Sequence, residues 1–232
     1  MLKIVSLKIC PFVQRVTASL EAKNIPYEID YIRLSNKPEW FMDISPNGQV
    51  PVLVIENGTA LFESDAIIEY LDEVSPPLEG DITPESRALN RAWSYLGSKH
   101  YLVQCSTMQS SDLETLRERR GKLDPAFQKI ERQLEEGPFF KGDKLGNVDM
   151  AWLPLLHRAS LIEKHGGYDF LESFPKVKRW QKALMDTGLY EKSVSTDFEE
   201  VFQGSYLSTK TYLGGNGIAQ KDGIKPKSGG CC

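Results

Sequence analysis

An α/β unit followed by an all-helical unit is the fold class that the 232-residue sequence predicts, and three observations carry it. Strand-like and helix-like patterns alternate up to about residue 75. A proline pair, Pro76-Pro77, then interrupts the chain, because proline lacks the N–H that a helix interior needs. From Thr83 onward the strand signals vanish and only helical spacing remains. The boundaries follow: an α/β domain over residues 1–76, an all-helical domain over 83–213, and a disordered tail over 214–232.

The elements justify themselves in order. Leu2 to Ile9 is an apolar run with β-branched residues, the mark of a buried strand. Pro11 suits the first turn of a helix, and Val13, Val16, Thr17 and Leu20 fall on one face of it. Tyr27, Ile29 and Tyr31 alternate with Glu28 and Asp30, the period of a half-exposed strand. Lys37 to Asp43 is a short helical candidate bearing Trp40 and Phe41. Val50 to Ile55 and Ala60 to Phe62 flank Glu56-Asn57-Gly58-Thr59, and Asn-Gly between two apolar runs is a hairpin signal. Ser64 opens a helix with Ile67, Ile68, Leu71 and Val74 as its apolar positions. The order β-α-β-α-β-β-α, one parallel unit and one hairpin on a four-stranded sheet, is that of a thioredoxin-like domain. In the second half Thr83-Pro84-Glu85 is a helix start, with a capping hydroxyl, proline in the first turn and an acid near the dipole. Helical patterns run from there to about Lys210, with breaks expected at Gly121, Gly137-Pro138, Gly166-Gly167, Pro175 and Gly188, giving five or six helices. Gly214 to Cys232 is rich in Gly, Lys and Ser and cannot bury enough surface to offset the entropy of ordering.

Composition excludes several function classes. A hydrophobic content of 41% with 26% charged residues describes a globular chain with enough apolar surface for two cores. The net charge of -4, with Lys and Arg interspersed among acids, offers no basic stripe for nucleic acid. No apolar run approaches the ~18 residues that span a bilayer, and Met1-Leu2-Lys3-Ile4 enters a strand with no signal-peptide pattern. Four cysteines, Cys10, Cys105, Cys231 and Cys232, have neither disulfide-framework nor zinc spacing, and three scattered histidines form no metal cluster. A cytoplasmic protein without a metal is expected.

Four places carry the chemistry. Cys10 stands where the first strand passes into the first helix, at an N-terminus whose free N–H groups and dipole favour an anion. Such a position predicts a thiol with a depressed pKa; it equally suits a small buried cysteine with no chemistry. Val50-Pro51 puts a proline at a strand entrance, and X-Pro is where cis peptide bonds occur. A cis bond would turn the Val50 N–H and C=O outward to pair with an extended peptide, whereas a trans edge proline would do nothing of the kind. Glu63-Ser64 precedes a helix; Ser64 can cap it, and acid and hydroxyl beside free N–H groups could hold both charges of an amino-acid head group. Lys37 is a cation on the loop after the second strand, by itself an ordinary surface lysine.

Together, Cys10-Pro11-Phe12-Val13-Gln14-Arg15, Asn36-Lys37-Pro38-Glu39-Trp40-Phe41, Val50-Pro51-Val52-Leu53 and the segment from Glu63 to Glu73 resemble, in order and spacing, the omega class of glutathione transferases. The motifs lie within the first 75 residues, and the helical remainder matches mainly in length and pattern. One landmark there, Gly142 to Asp149, looks like the family's buried helix-capping segment, in which Asp149 would support the start of a core helix. The family usually has Ser or Thr where Gly146 stands, so a weaker or differently built cap is expected.

The resemblance implies a glutathione transferase architecture and a set of roles. Cys10 would be the catalytic thiol, forming a mixed disulfide with glutathione. Val50, before a cis Pro51, would pair its backbone with the cysteinyl part of the tripeptide. Glu63 and Ser64 would hold the γ-glutamyl end, Lys37 would face the glycine carboxylate, and Phe12 would border the second substrate. A dithiol oxidoreductase carries a second cysteine three positions after the first, and here that residue is Val13. A second glutathione must therefore resolve the mixed disulfide. Glutathione-dependent thiol transfer follows, with reduction of dehydroascorbate or of glutathionyl adducts as activities and a small molecule or protein thiol as second substrate. Two other readings stand beside it: a non-enzymatic module of the same fold, like chloride intracellular channel proteins or stress factors, and conventional conjugation to electrophiles. The polar set of Cys10, Lys37, Val50-Pro51 and Glu63-Ser64 favours the enzyme, because a scaffold needs none of it. Trp93, Tyr95, Lys99, His100 and Tyr101 are candidates both for the second-substrate pocket and for domain packing. A homodimer is expected on the resemblance alone, with no membrane or nucleic-acid partner. The end Ser228-Gly229-Gly230-Cys231-Cys232 looks like a double-cysteine prenylation signal, or else is a flexible end whose thiols oxidise.

Overall fold

Ile4 and Val5, both without solvent exposure, place the first strand inside the sheet rather than at its edge. In the computed structural model, which describes residues 1–33, 35–80 and 82–216, β1 (Leu2–Ser6) runs parallel to β2 (Tyr27–Tyr31) and antiparallel to β3 (Val52–Val54). The chain then returns antiparallel as β4 (Ala60–Phe62), giving the order β2-β1-β3-β4. The predicted hairpin is present: Gly58 takes φ +86°, and Asn57 Oδ1 accepts the Thr59 N–H at 3.0 Å. β1 ends at Ser6, three residues before the apolar run does, because Lys8 and Ile9 turn and the Leu7 carbonyl accepts the Cys10 N–H at 3.1 Å.

Alternation along the strands feeds two layers. Ile4 and Leu53 face α1 (Pro11–Ala22) and α3 (Ser64–Val74), where Val13, Val16, Leu20, Ile67 and Leu71 are buried. Val5 and Val52 face the opposite way and pack on Phe41 of the short α2 (Glu39–Ile44). This is the thioredoxin-like arrangement, and the helical half docks on the layer of α1 and α3.

The helical half holds α4 (Pro84–Ser98), α5 (Tyr101–Met108), α6 (Leu113–Gln133), α7 (Asn147–Gly166), α8 (Pro175–Asp186), α9 (Leu189–Lys192) and α10 (Phe198–Tyr206). Thr83 caps α4 by accepting the Ser86 N–H. Seven helices among the described residues exceed the five or six expected, because unforeseen breaks fall at Lys99-His100, between Met108 and Leu113 and between Lys192 and Phe198, while Gly121 makes none. Gly121 does not break α6: a Cβ there would meet nothing, and buried Leu116, Leu123, Phe127 and Ile130 carry the helix past it. The ~1 kcal/mol that a mid-helix glycine costs is small beside that burial. Conversely, α4 and α5 separate at Lys99-His100, where no glycine or proline marks the break. Gly214, Gly215 and Asn216, expected in the tail, instead finish a π-helical turn (Tyr212–Asn216) anchored by buried Leu213 and by the Tyr212 N–H on the Ser110 carbonyl at 2.7 Å. The remaining tail, with Cys231 and Cys232, lies outside the described residues.

α7 is the axis of the second core. Its residues are apolar on all sides from Met150 to Leu156, and Trp152 packs against Phe127 and Trp180. α4 approaches it closely at Gly97, where a Cβ would sit 3.0 Å from Trp152 Nε1. The start of α7 is built differently from a hydroxyl cap. Buried Asp149 accepts the Gly146 N–H at 2.8 Å, the Phe140 N–H at 3.0 Å and Trp180 Nε1–H at 2.7 Å. Burial pushes its carboxyl up to about 6, against the pull of those three donors. Where Gly146 has no side chain, Glu79 reaches in from the linker and accepts the Asn147 N–H at 2.9 Å. A Cβ on Gly146 would lie 2.9 Å from Glu79 Cγ, so the glycine makes room for the linker carboxylate.

Candidate active site

Cys10 is the N-cap of α1 in extended backbone (φ −75°, ψ 121°), and its side chain makes no cap bond. The Gln14 N–H already bonds the Cys10 carbonyl at 3.1 Å, and the free N–H groups of Phe12 and Val13 lie near the sulfur. Burial pushes the Cys10 thiol up. The Val13 and Phe12 N–H groups and the charge of Arg158 pull the other way, and Cys105 adds to the rise. The direction is thus opposite to the depressed thiol predicted from the helix terminus. The terminus is there, but Cys10 is half-buried against the core of α1 and α3, and desolvation outweighs the dipole.

Five of the other sequence-predicted residues surround one cleft: Phe12, Val50, Pro51, Glu63 and Ser64. The Val50-Pro51 bond is cis. Val50 precedes the ladder of β3, so neither its N–H nor its C=O is used by the sheet among the described residues. Glu63, not Ser64, is the N-cap of α3; Ser64 is the first helical residue and is buried, which corrects the expected serine cap. Because Glu63 also makes no side-chain cap bond, the first N–H groups of α3 stay open toward the cleft. Glu63 takes φ +66°, ψ 117°, a conformation that costs a non-glycine residue about 1–3 kcal/mol and that concentrates at functional sites. Asn47 Nδ2 donates to Glu63 Oε1 at 3.0 Å and fixes the exposed carboxylate.

Cys10 and Lys37 stand outside that lining. Lys37 Nζ donates to the Gly48 carbonyl at 2.7 Å, so it braces the Ser45–Gln49 loop that forms one wall. Cys10 lies two residues before Phe12 at the same helix end, and the Phe12 ring meets Tyr101 edge-on at 5.0 Å. Of the interdomain candidates, Tyr101 is fully buried with its hydroxyl on the Ala151 carbonyl, and the Trp93 carbonyl accepts Trp152 Nε1–H. His100 bonds the Leu96 carbonyl and Tyr95 faces Glu69, which makes these residues chiefly packing.

Sequence reasoning passed over several residues of the site. Ser45, Asn47, Gln49 and Phe62 line the cleft, on loops with no pattern to single them out. Arg15, buried at 2% exposure, pairs with Asp65 and ties α1 to the start of α3. Arg158, without exposure, donates from Nη2 to the Ile9 carbonyl at 3.0 Å and from Nη1 to Gln14 Oε1 at 2.5 Å. A signal for it existed: an arginine directly after the apolar run of α7, followed by further core positions at Ala159, Leu161 and Ile162. Among the described residues no group of three His, Cys, Asp or Glu is placed to hold a metal.

Comparison with known proteins agrees with this geometry. Residues 9–74 match the glutathione S-transferase N-terminal domain family and residues 114–183 the glutathione S-transferase C-terminal domain family. The chain is 32% identical over 187 residues to the Arabidopsis thaliana protein named glutathione S-transferase DHAR2, covering 79% of this chain and 83% of that one. It is also 32% identical over 193 residues to glutathione S-transferase omega-1 of Sus scrofa, covering 80% and 77%. Glutathione transferase Omega 3C of Trametes versicolor superposes with a TM-score of 0.72 at 26% identity, over 84% of this chain and 89% of that one. A thioredoxin-like half with an uncapped cysteine at α1, joined to an all-helical half, therefore belongs to an enzyme of the glutathione transferase family, and the chain is omega-class-like within it.

Proposed function

We propose that the protein is a glutathione-dependent thiol transferase working through a Cys10–glutathione mixed disulfide, and that it reduces dehydroascorbate or small glutathionyl adducts. The observation that carries this reading is a thiol, rather than a hydroxyl, at the open N-terminus of α1 beside the cleft. Val50 offers an unused N–H and C=O to the cysteinyl part of glutathione. Glu63, held by Asn47, takes the γ-glutamyl ammonium, and the open N–H groups of α3 with Ser64 take its carboxylate. Lys37 is close enough to the cleft wall to swing from Gly48 to the glycine carboxylate, and Phe12 borders the second substrate. With Val13 in the third position after Cys10, a second glutathione thiolate attacks the mixed disulfide and restores Cys10. Retention on immobilised glutathione followed by intact mass tests this: an adduct of one glutathione on Cys10 is expected, and retention without any adduct would favour conjugation or a binding module.

The same reading takes the chain as two domains, 1–76 and 83–213, in a homodimer located in the cytoplasm. Among the described residues no helix is long and apolar enough to cross a membrane. Light scattering at micromolar concentration is expected to give twice the chain mass, and a monomer mass would refute the dimer.

A further inference from the structure

A guanidinium lies buried under the Cys10 loop with no carboxylate to balance it. Arg158 has no exposure to solvent. Its donors end on three neutral oxygens: the Ile9 carbonyl at 3.0 Å, the Pro154 carbonyl at 3.0 Å and Gln14 Oε1 at 2.5 Å. The guanidinium lies 5.5 Å from the centroid of the Phe198 ring, and Nε has no partner. None of the ion pairs among the described residues includes Arg158. Arginine keeps its proton in proteins, and a buried charge without a counter-ion is costly.

The groups that face this charge narrow the choice of counter-ion. They are Cys10 at α1, Tyr101 on α5, His157 beside it on α7 and Tyr206 on α10. Burial, with Arg158 adding to it, pushes His157 down to about 3. Burial pushes Tyr101 and Tyr206 up. None of these three is charged near neutral pH. Arg15 also faces Tyr101, but it is already paired with Asp65, and the Cys105 thiol faces Cys10 from α5. Of the groups facing Arg158, Cys10 follows directly on the Ile9 carbonyl that the guanidinium holds, and its thiol is the one able to become the missing anion.

We propose that Arg158 is a positioning residue for Cys10: it holds the loop through the Ile9 carbonyl, and its unbalanced charge is the counter-ion of the Cys10 thiolate. This role rests on the exchange chemistry proposed above. In the resolving step a glutathione thiolate attacks the glutathione sulfur of the mixed disulfide. A new sulfur–sulfur bond gives glutathione disulfide, the bond to Cys10 breaks, and its electron pair stays on Cys10 as thiolate beside the guanidinium. A buried thiolate leaves only as readily as its charge is met.

Alkylation of Cys10 by iodoacetamide across about pH 6–10, read by mass, tests the role without glutathione. Arg158→Gln keeps a donor for the Ile9 carbonyl and removes the charge; Arg158→Lys keeps the charge. Removing an opposite charge near a thiol makes its thiolate less accessible, so Arg158→Gln is expected to alkylate about tenfold more slowly near pH 7.5 and at every lower pH. Arg158→Lys should stay within about threefold of the parent. A folded Arg158→Gln with an unchanged alkylation rate overturns the role, as does Arg158→Lys that is as slow as Arg158→Gln. Should Arg158→Gln fail to fold, Gln14→Glu sets a carboxylate against Nη1 and must also slow alkylation; an unchanged rate there overturns the role equally. A Cys10→Ser variant that still exchanged at full rate would instead remove the exchange chemistry, while the alkylation result would stand on its own.

Discussion

α1 and α7 lie against each other across the junction of the two halves, and each begins on a residue whose side chain makes no cap bond: Cys10 on α1, Gly146 on α7. At α7 the exposed N–H groups are closed by carboxylates, Asp149 on Gly146 and Glu79 on Asn147, the second brought from the linker. At α1 no carboxylate arrives; the N–H groups of Phe12 and Val13 face a sulfur, and α3 likewise starts open behind Glu63. The same dipole end is filled by anions where the fold needs a rigid start and left to a thiol or to a ligand where chemistry is needed. Changes at the open ends should therefore alter activity with little effect on stability, and changes at the closed end should do the reverse.

Cys10→Ser is the largest expected break. An alkoxide is not accessible at that site and no neighbouring base is present, since burial holds His157 down at about 3 and its Nδ1 is engaged by Gln14. Thiol transfer should fall by about a hundredfold or more while glutathione retention persists. Full turnover in a thiol-transfer assay would reduce Cys10 to a packing residue.

The pH profile of Cys10 comes next. With the thiol raised by burial, the thiolate fraction of the ligand-free protein climbs about tenfold per pH unit through the neutral range. Alkylation should be slower at pH 6 than that of an ordinary thiol and rise about a hundredfold by pH 8. A plateau already reached at pH 6 would mean that the helix end outweighs burial after all.

Glu63→Ala tests the open end of α3. Loss of a charge-assisted hydrogen bond worth about 1.5–3 kcal/mol should weaken glutathione binding at least about tenfold. Relief of the φ +66° backbone does not follow from alanine, which is no more at ease there than glutamate. Calorimetric titration with unchanged affinity would take Glu63 out of the site.

What was legible in the sequence divides along the same line. Cys10-Pro11, Val50-Pro51, Asn57-Gly58 and Thr83-Pro84 are local signals, read from a few adjacent residues, and the elements they announce are present. The direction of the Cys10 shift, the capping by Glu79 and the charge of Arg158 each depend on a contact between residues far apart in the chain: Cys10 with the core of α1 and α3, Glu79 with Asn147, Arg158 with Ile9. No window along the chain contains both partners. Gly121 failed as a break for a related reason, because burial of Leu123 and Phe127 against other helices overrides a local propensity.

Glu79 and Gly146 offer the finest test of the closed end. Glu79→Ala strips the Asn147 N–H of its acceptor, at a cost of about 1–2 kcal/mol for a lost cap, or a few degrees of melting temperature for a chain of this size. Glutathione retention should not change, because neither residue touches the cleft. Gly146→Ser alone should also destabilise, since its Cβ meets Glu79 Cγ at 2.9 Å. In the double variant the clash is gone and the new hydroxyl can accept the N–H of residue 149 as an ordinary N-cap, so part of the loss should return. Thermal melts of the four proteins measure the coupling directly. Strictly additive losses would show that Glu79 is not the cap of α7, and that this helix end is as open as the one beneath Cys10.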